Sequence, residues 1–328
     1  MMVRDMQNSP EQNLPKLQFF PAAFFSVVMG LTGLTLAWDK ASVVFGFTDV
    51  IAQALLILSA SVLLLIVITY TLKAKKYPNA VVEEYQHPIK MSFFPAFSIS
   101  LILMSIATLH VSKELSLYLW GTGVTIHLGF TIHALSQWIH HPKFKIEHST
   151  PAWFIPVVGN ILIPIAGVEH GFIELSWFFF SIGFIYWIIL KTLIFNRMFF
   201  HEPLPQKLLP TLFILIAPPA VGFISYMKLN ADLDNFSRIL FYTSMFLVLL
   251  LFTQLPRFSK IKFYMSWWAY SFPLAASTIA TLVMYQHNPS PFFQYIAIVL
   301  LTLSSVVISI LFIRTILAII RNEICLPE

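Results

Sequence analysis

Cysteine is almost missing from these 328 residues: there is one, Cys325, close to the C-terminal end. A single thiol excludes an intramolecular disulfide and any metal site built on several cysteines. Charge is scarce as well, with Asp, Glu, Lys and Arg making up 11% of the chain, against roughly a quarter in a soluble domain. No Walker-type or dinucleotide glycine motif occurs, and nothing resembles a Ser-His-Asp arrangement in a water-accessible fold. The most informative absence is positional. No Asp, Glu, Lys or Arg stands near the centre of any long apolar run. Ion-coupled pumps and proton relays place ionisable residues inside the membrane, so the expectation is a passive path, or a carrier that couples through something else.

Hydrocarbon fills the space that charge leaves: 58% of the residues are hydrophobic and the mean hydropathy is +0.78. Apolar runs near or above the ~20 residues that cross a bilayer recur ten times, at 19–38, 48–72, 93–111, 114–137, 152–168, 172–195, 208–227, 236–254, 264–285 and 291–318. The expected fold is an all-α integral membrane protein. A polar tail (1–18) precedes a ten-helix domain (19–318), and a short tail (319–328) follows it. The polar start and the full-length first run predict a retained helix rather than a cleaved leader. Sixteen of the twenty Lys and Arg lie in or beside the two tails and the loops after even-numbered runs. By the positive-inside rule both termini face the cytoplasm, which also accounts for the +5 formal charge without any nucleic-acid partner.

Short loops after odd-numbered runs make five antiparallel hairpins. Proline then separates two classes. The interiors of the even runs hold none, whereas the odd runs hold Pro21, Pro95, Pro156, Pro164, Pro210, Pro218, Pro219 and Pro273. Pro164, Pro218 and Pro273 lie about ten residues into their runs, where a proline deletes a hydrogen bond. Gly30 and Gly33 stand at the equivalent depth of the first run, and Ser98, Ser100 and Ser105 in the third. Broken helices at membrane depth are tolerated where protein or a water-lined cavity re-satisfies the backbone. The odd helices are therefore expected inside, around a narrow conduit, and the even ones outside against lipid.

Histidine offers little chemistry. His127 and His133 are six residues apart, about 240° around a helix, and cannot share an ion; with His140, His141 and His148 they read as interfacial or loop residues. Glu83, Glu84 and His87 in "EEYQHP" precede the third run; a cytoplasmic gate is one reading of them, and a turn marked by Pro88 is the simpler one. No catalytic residue, metal site or cofactor is expected.

Five stretches in order along the chain carry a resemblance: "SVVMGLTGLTLAW" (26–38), "EEYQHPIKMSFF" (83–94), "TPAWFIPVVGN" (150–160), "APPAVGFISYM" (217–227) and "WWAYSFPLAAS" (267–277). They resemble the tellurite-resistance/dicarboxylate transporter family, and within it the TehA-type bacterial proteins related to the plant guard-cell slow anion channel. That resemblance implies five hairpins with pore-lining odd helices, a homotrimer with one conduit per subunit, and a bacterial inner membrane location. It implies small inorganic anions such as chloride or nitrate as the solutes. It also implies a mid-membrane plug at Phe272; the neighbouring Pro273, by removing a backbone bond and bending the helix beside Ser271, is expected to let that ring project toward the axis. A carrier for dicarboxylate, sulfite or a tellurium oxyanion is the alternative, although no basic residue is available at mid-membrane for such a substrate. Family members often have a proline in the stretch matching "SVVMGL"; here Val27, Val28 and Met29 stand there.

Overall fold

The computed structural model describes residues 15–326, so most of the expected N-terminal tail lies outside the described residues. In chain order the α-helices are α1 (Phe25–Phe45), α2 (Val50–Lys76), α3 (Pro78–Gln86), α4 (Ala96–Thr108) and α5 (Lys113–His140). They continue as α6 (Phe154–Val158), α7 (Ile163–Gly167), α8 (Ile173–Phe200), α9 (Ala217–Asn230) and α10 (Asn235–Phe252). The last three are α11 (Leu255–Phe258), α12 (Ser271–His287) and α13 (Pro291–Ile320). No strand occurs among the described residues.

The apolar runs fold in two ways. α2, α5, α8, α10 and α13 are α-helical from end to end. Three begin at a side-chain cap: the side-chain oxygens of Ser112, Asp234 and Ser290 accept from the N–H of Leu115, Ser237 and Phe293. Pro291 sits directly after its cap, where its missing N–H would have no helical partner anyway. The odd runs contain 3₁₀ turns. Ala22–Phe24 leads into α1, Lys90–Phe93 precedes α4, Gly159–Leu162 joins α6 to α7, Gln206–Ile216 leads into α9, and Met265–Tyr270 into α12.

Proline explains the changeover. Pro164 and Pro218 each occupy the second residue of an α segment, and Pro273 the third. The expected mid-helix breaks are thus boundaries, where three-residue bonding gives way to four-residue bonding and a missing N–H costs little. The first run has no such proline inside it, and α1 continues unbroken from Phe25 to Phe45.

Eight helical stretches among the described residues are long and apolar enough to cross a membrane; they include α1, α2, α4, α5, α8, α9, α10 and α13. The sequence leads one to expect ten. The stretch Pro151–Gly167, made of two 3₁₀ turns with α6 and α7, is shorter than the others. The ninth run carries "SWWAYS" and several serines and threonines, which dilute its hydropathy. Burial divides the stretches as bonding does. Those at Ala22–Phe45, Lys90–Thr108 and Gln206–Asn230 are 67–78% buried over their apolar windows, against 22–39% for the five uninterrupted helices. Every residue of α6 and α7, and thirteen of the seventeen in α12, are also buried.

One ionic clamp ties the start of this assembly together. Lys73 at the end of α2 donates to Glu84 of α3 at 2.6 Å and to the carbonyl of Phe20 at 2.9 Å. Glu84 also accepts from the Ala22 N–H at 2.6 Å and the Tyr70 hydroxyl at 3.1 Å. Both charged side chains are buried, and every carboxylate oxygen is bonded. Glu84 therefore anchors the approach to α1, a stronger structural role than the turn read from "EEYQHP".

Candidate functional site: an apolar cavity beside Phe272

Among the buried residues lies a cavity of about 50 Å³, room for a few water-sized solutes on the scale of ~10–15 Å³ for one. Each of the five interrupted runs contributes to its wall: Met29 from α1, Ile99 from α4, Gly159 and Leu162 from the turn between α6 and α7, Pro218 from α9, and Phe272 from α12. Every residue of the lining is apolar or glycine, and none is charged. Phe272 is 8% exposed, so its ring is packed yet borders open space.

What holds that ring is a helix crossing. α1 lies against α12 through glycines. A methyl group on Gly30 would stand 2.3 Å from Oγ and 2.7 Å from Cβ of Ser271. One on Gly33 would meet Cδ2 of Phe272 at 3.2 Å and Cβ of Ala275 at 3.1 Å. Real Cβ atoms do not come as close as the first pair, so Gly30 is required by the approach itself. The two glycines seat Ser271 and Phe272, and neither lines this cavity.

Of the residues singled out in the sequence, Phe272 and Pro218 border the cavity. Gly30, Gly33 and Ser271 lie behind Phe272 at the crossing, and Pro273 continues α12 beyond it. Pro164 is buried at the start of α7. Ser98 is buried on α4, with its Oγ 2.8 Å from the carbonyl of Pro95 and 2.9 Å from Nδ1 of His127. The Ser271 hydroxyl donates to the carbonyl of Trp268 at 2.6 Å. Both hydroxyls thus lie within reach of a carbonyl three residues back, and neither residue lines the cavity.

His127 differs most from its sequence reading. It is fully buried, neither interfacial nor in a loop, because α5 turns it toward Ser98 and Gly159. A Cβ on Gly159 would lie 2.7 Å from Cε1 and Nε2 of this imidazole. The contact spans separate helices, and no spacing within one helix announces it. Among the described residues, no group of three or more His, Cys, Asp or Glu side chains could hold a metal ion.

Two lysine contacts join neighbouring helices away from the cavity lining. Past α7, Glu169 accepts from Lys228 of α9 at 2.5 Å, and Lys40 of α1 donates to Gln286 of α12 at 2.6 Å. The bond from Lys228 holds the Glu169 carboxyl below the usual carboxylate range. Burial lowers the neighbouring His170, whose Nε2 lies 3.0 Å from the Ser116 hydroxyl.

A family model described as "Voltage-dependent anion channel", named SLAC1, matches residues 19–316, nearly the whole chain. The protein belongs to the SLAC1 family. Its relatives include the S-type anion channel SLAH2 of Arabidopsis thaliana, 29% identical over 279 residues, or 83% of this chain and 54% of that one. The guard cell S-type anion channel SLAC1 of the same plant is 26% identical over 94% of this chain and 57% of its own length. The tellurite resistance protein TehA homolog of Haemophilus influenzae is 25% identical, with 95% and 94% covered. The chain spans about half the length of the plant members it matches and nearly all of the bacterial one. The family match agrees with the resemblance read from the five sequence stretches.

Proposed function

We propose that the chain is an anion channel whose conduit runs through the protomer and is closed by Phe272. The carrying observation is the cavity: five separate runs, each interrupted by 3₁₀ turns, converge on one space, and an aromatic ring stands at its edge. In this reading all ten runs cross the bilayer as five hairpins, the odd set inside and the even set against lipid and neighbouring subunits. The burial contrast between the sets supports that arrangement. Both termini face the cytoplasm, the membrane is the plasma membrane, and the assembly is a homotrimer with one conduit per subunit.

An apolar constriction blocks ions because water does not fill it. Without a fixed charge in the wall, the solutes that fit are small, weakly hydrated monovalent anions such as chloride and nitrate, which part with water at least cost and leave readily. A carrier for a dicarboxylate would need a basic partner in the cavity, and none lines it. Exchanging bath chloride for an impermeant organic anion, with the Phe272→Ala protein in a planar bilayer, tests the solute. The reversal potential should move as expected for a chloride electrode. A reversal potential that instead followed the sodium or potassium gradient would end the anion reading.

A further inference from the structure

The wall of the cavity gives an anion no side-chain hydrogen-bond donor, yet one polar atom stands immediately behind it. His127 is fully buried and its Nε2 has no hydrogen-bond partner among the described residues. A buried nitrogen left unpaired is costly and calls for an explanation. Its position supplies one. The edge of the imidazole that bears Nε2 packs against Gly159, where any Cβ would stand 2.7 Å from Nε2 and 2.8 Å from Cδ1 of Ile99. Gly159 and Ile99 both line the cavity. The seam between Nε2 and the cavity is therefore a glycine and the tip of one isoleucine. That glycine opens the 3₁₀ turn Gly159–Leu162, and 3₁₀ turns inside a helical span often mark hinges.

Ser98 decides what Nε2 presents. Its one hydroxyl proton can go to the carbonyl of Pro95 or to Nδ1 of His127. If it goes to Nδ1, that nitrogen accepts and the ring proton sits on Nε2, making it a donor. If it goes to Pro95, Nδ1 carries the ring proton and Nε2 is a bare acceptor.

We propose that Nε2–H of His127 is the hydrogen-bond donor that a dehydrated monovalent anion meets beside Phe272, reached through the seam at Gly159; the anion draws the ring into the donating tautomer as the Ser98 hydroxyl turns from the Pro95 carbonyl, which keeps its bond from the Ile99 N–H, to Nδ1. The proposal rests on the conduit reading above. A neutral imidazole N–H replaces part of the hydration an anion gives up and adds no fixed charge that would trap it, so passage stays fast. Chloride, being more strongly hydrated than nitrate, depends on that donor more.

The test compares chloride and nitrate currents of purified protein in planar bilayers, all in a Phe272→Ala background, with folding followed by gel filtration. His127→Leu removes the donor and should lower chloride conductance about fivefold, the size of one neutral hydrogen bond, while raising the nitrate-to-chloride permeability ratio. His127→Gln, which restores an N–H at similar reach, should bring the ratio back toward the parent's. A merely structural histidine would change the amount of folded protein and leave the ratio where it was. If the leucine variant does not fold, Ser98→Ala takes its place; it leaves Nδ1 no hydroxyl to accept from when the ring proton sits on Nε2, which disfavours the donating tautomer and should shift the ratio in the same direction. A folded His127→Leu protein, or failing that a folded Ser98→Ala protein, with the parent's ratio and conductance overturns the inference. A Phe272→Ala parent without anion current overturns the conduit reading itself, so the two failures are distinguishable.

Discussion

Gly33 of α1 and Phe272 of α12 fit each other: where Gly33 has no side chain, a methyl would come within 3.2 Å of the Phe272 ring. One turn earlier the fit is tighter still, since a methyl on Gly30 would overlap the Ser271 hydroxyl oxygen. The ring at the cavity is thus backed by a close helix crossing in which Gly33 fits tightly against it and Gly30 leaves no room for a side chain beside Ser271.

That contact ranks two substitutions. Gly30→Ala forces backbone or Ser271 to move and should cost about 1–3 kcal/mol, the usual range for overpacking. Gly33→Ala requires shifts of only a few tenths of an ångström and should cost less. Thermal unfolding in detergent reads the order, and Ser271→Gly should recover most of the loss in Gly30→Ala alone.

The clamp at the start of α1 gives a second test. Lys73→Met leaves Glu84 buried without its cation, a defect of about 3–5 kcal/mol. The double variant Lys73→Met, Glu84→Gln removes both charges and should be markedly more stable than the single one. Equal melting temperatures for the single and double variants would mean that the pair carries no such penalty.

Proline placement makes a third prediction. Because Pro273 lies in the first turn of α12, Pro273→Ala should change stability by less than about 1 kcal/mol. Moving the ring inward, as in Ala280→Pro, should cost about 3 kcal/mol or more. A large gain from Pro273→Ala would show that the proline interrupts a helix rather than starting one.

The pair at the helix ends predicts a pH dependence. The folded Glu169 carboxyl titrates below its unfolded value because Lys228 donates to it. Its contribution is therefore present above the ordinary carboxylate value of about 4.3 and fades as pH falls through the lower folded value. Melting temperatures of wild type and Glu169→Gln should differ most near neutrality and converge toward pH 3. The difference is small, since partly exposed pairs contribute about 0–1 kcal/mol.

The all-helical fold could be read from the sequence because the bilayer imposes a length that hydrophobic runs must meet, and because sparse charge leaves few other folds. The special character of the odd runs was visible too, through Pro164, Pro218 and Pro273, although the 3₁₀ turns that precede these prolines were not. Local hydrogen bonding decides those turns, and no residue count reveals it. The apolar wall was hidden for a related reason. Ser98 and Ser271 look like lining residues, yet neither borders the cavity, and their hydroxyls have carbonyls within reach in Pro95 and Trp268. His127 was misread because its partners, Ser98 and Gly159, lie 29 and 32 residues away and on other helices.

Chloride efflux from liposomes that hold purified protein tests the central claim most directly, with wild type and Phe272→Ala compared at equal amounts of inserted protein. Removing the ring should convert a slow or silent protein into one that empties its vesicles, and Phe272→Leu, which leaves a smaller plug, should fall between. Efflux from Phe272→Ala no faster than from wild type would contradict an anion conduit closed by this side chain.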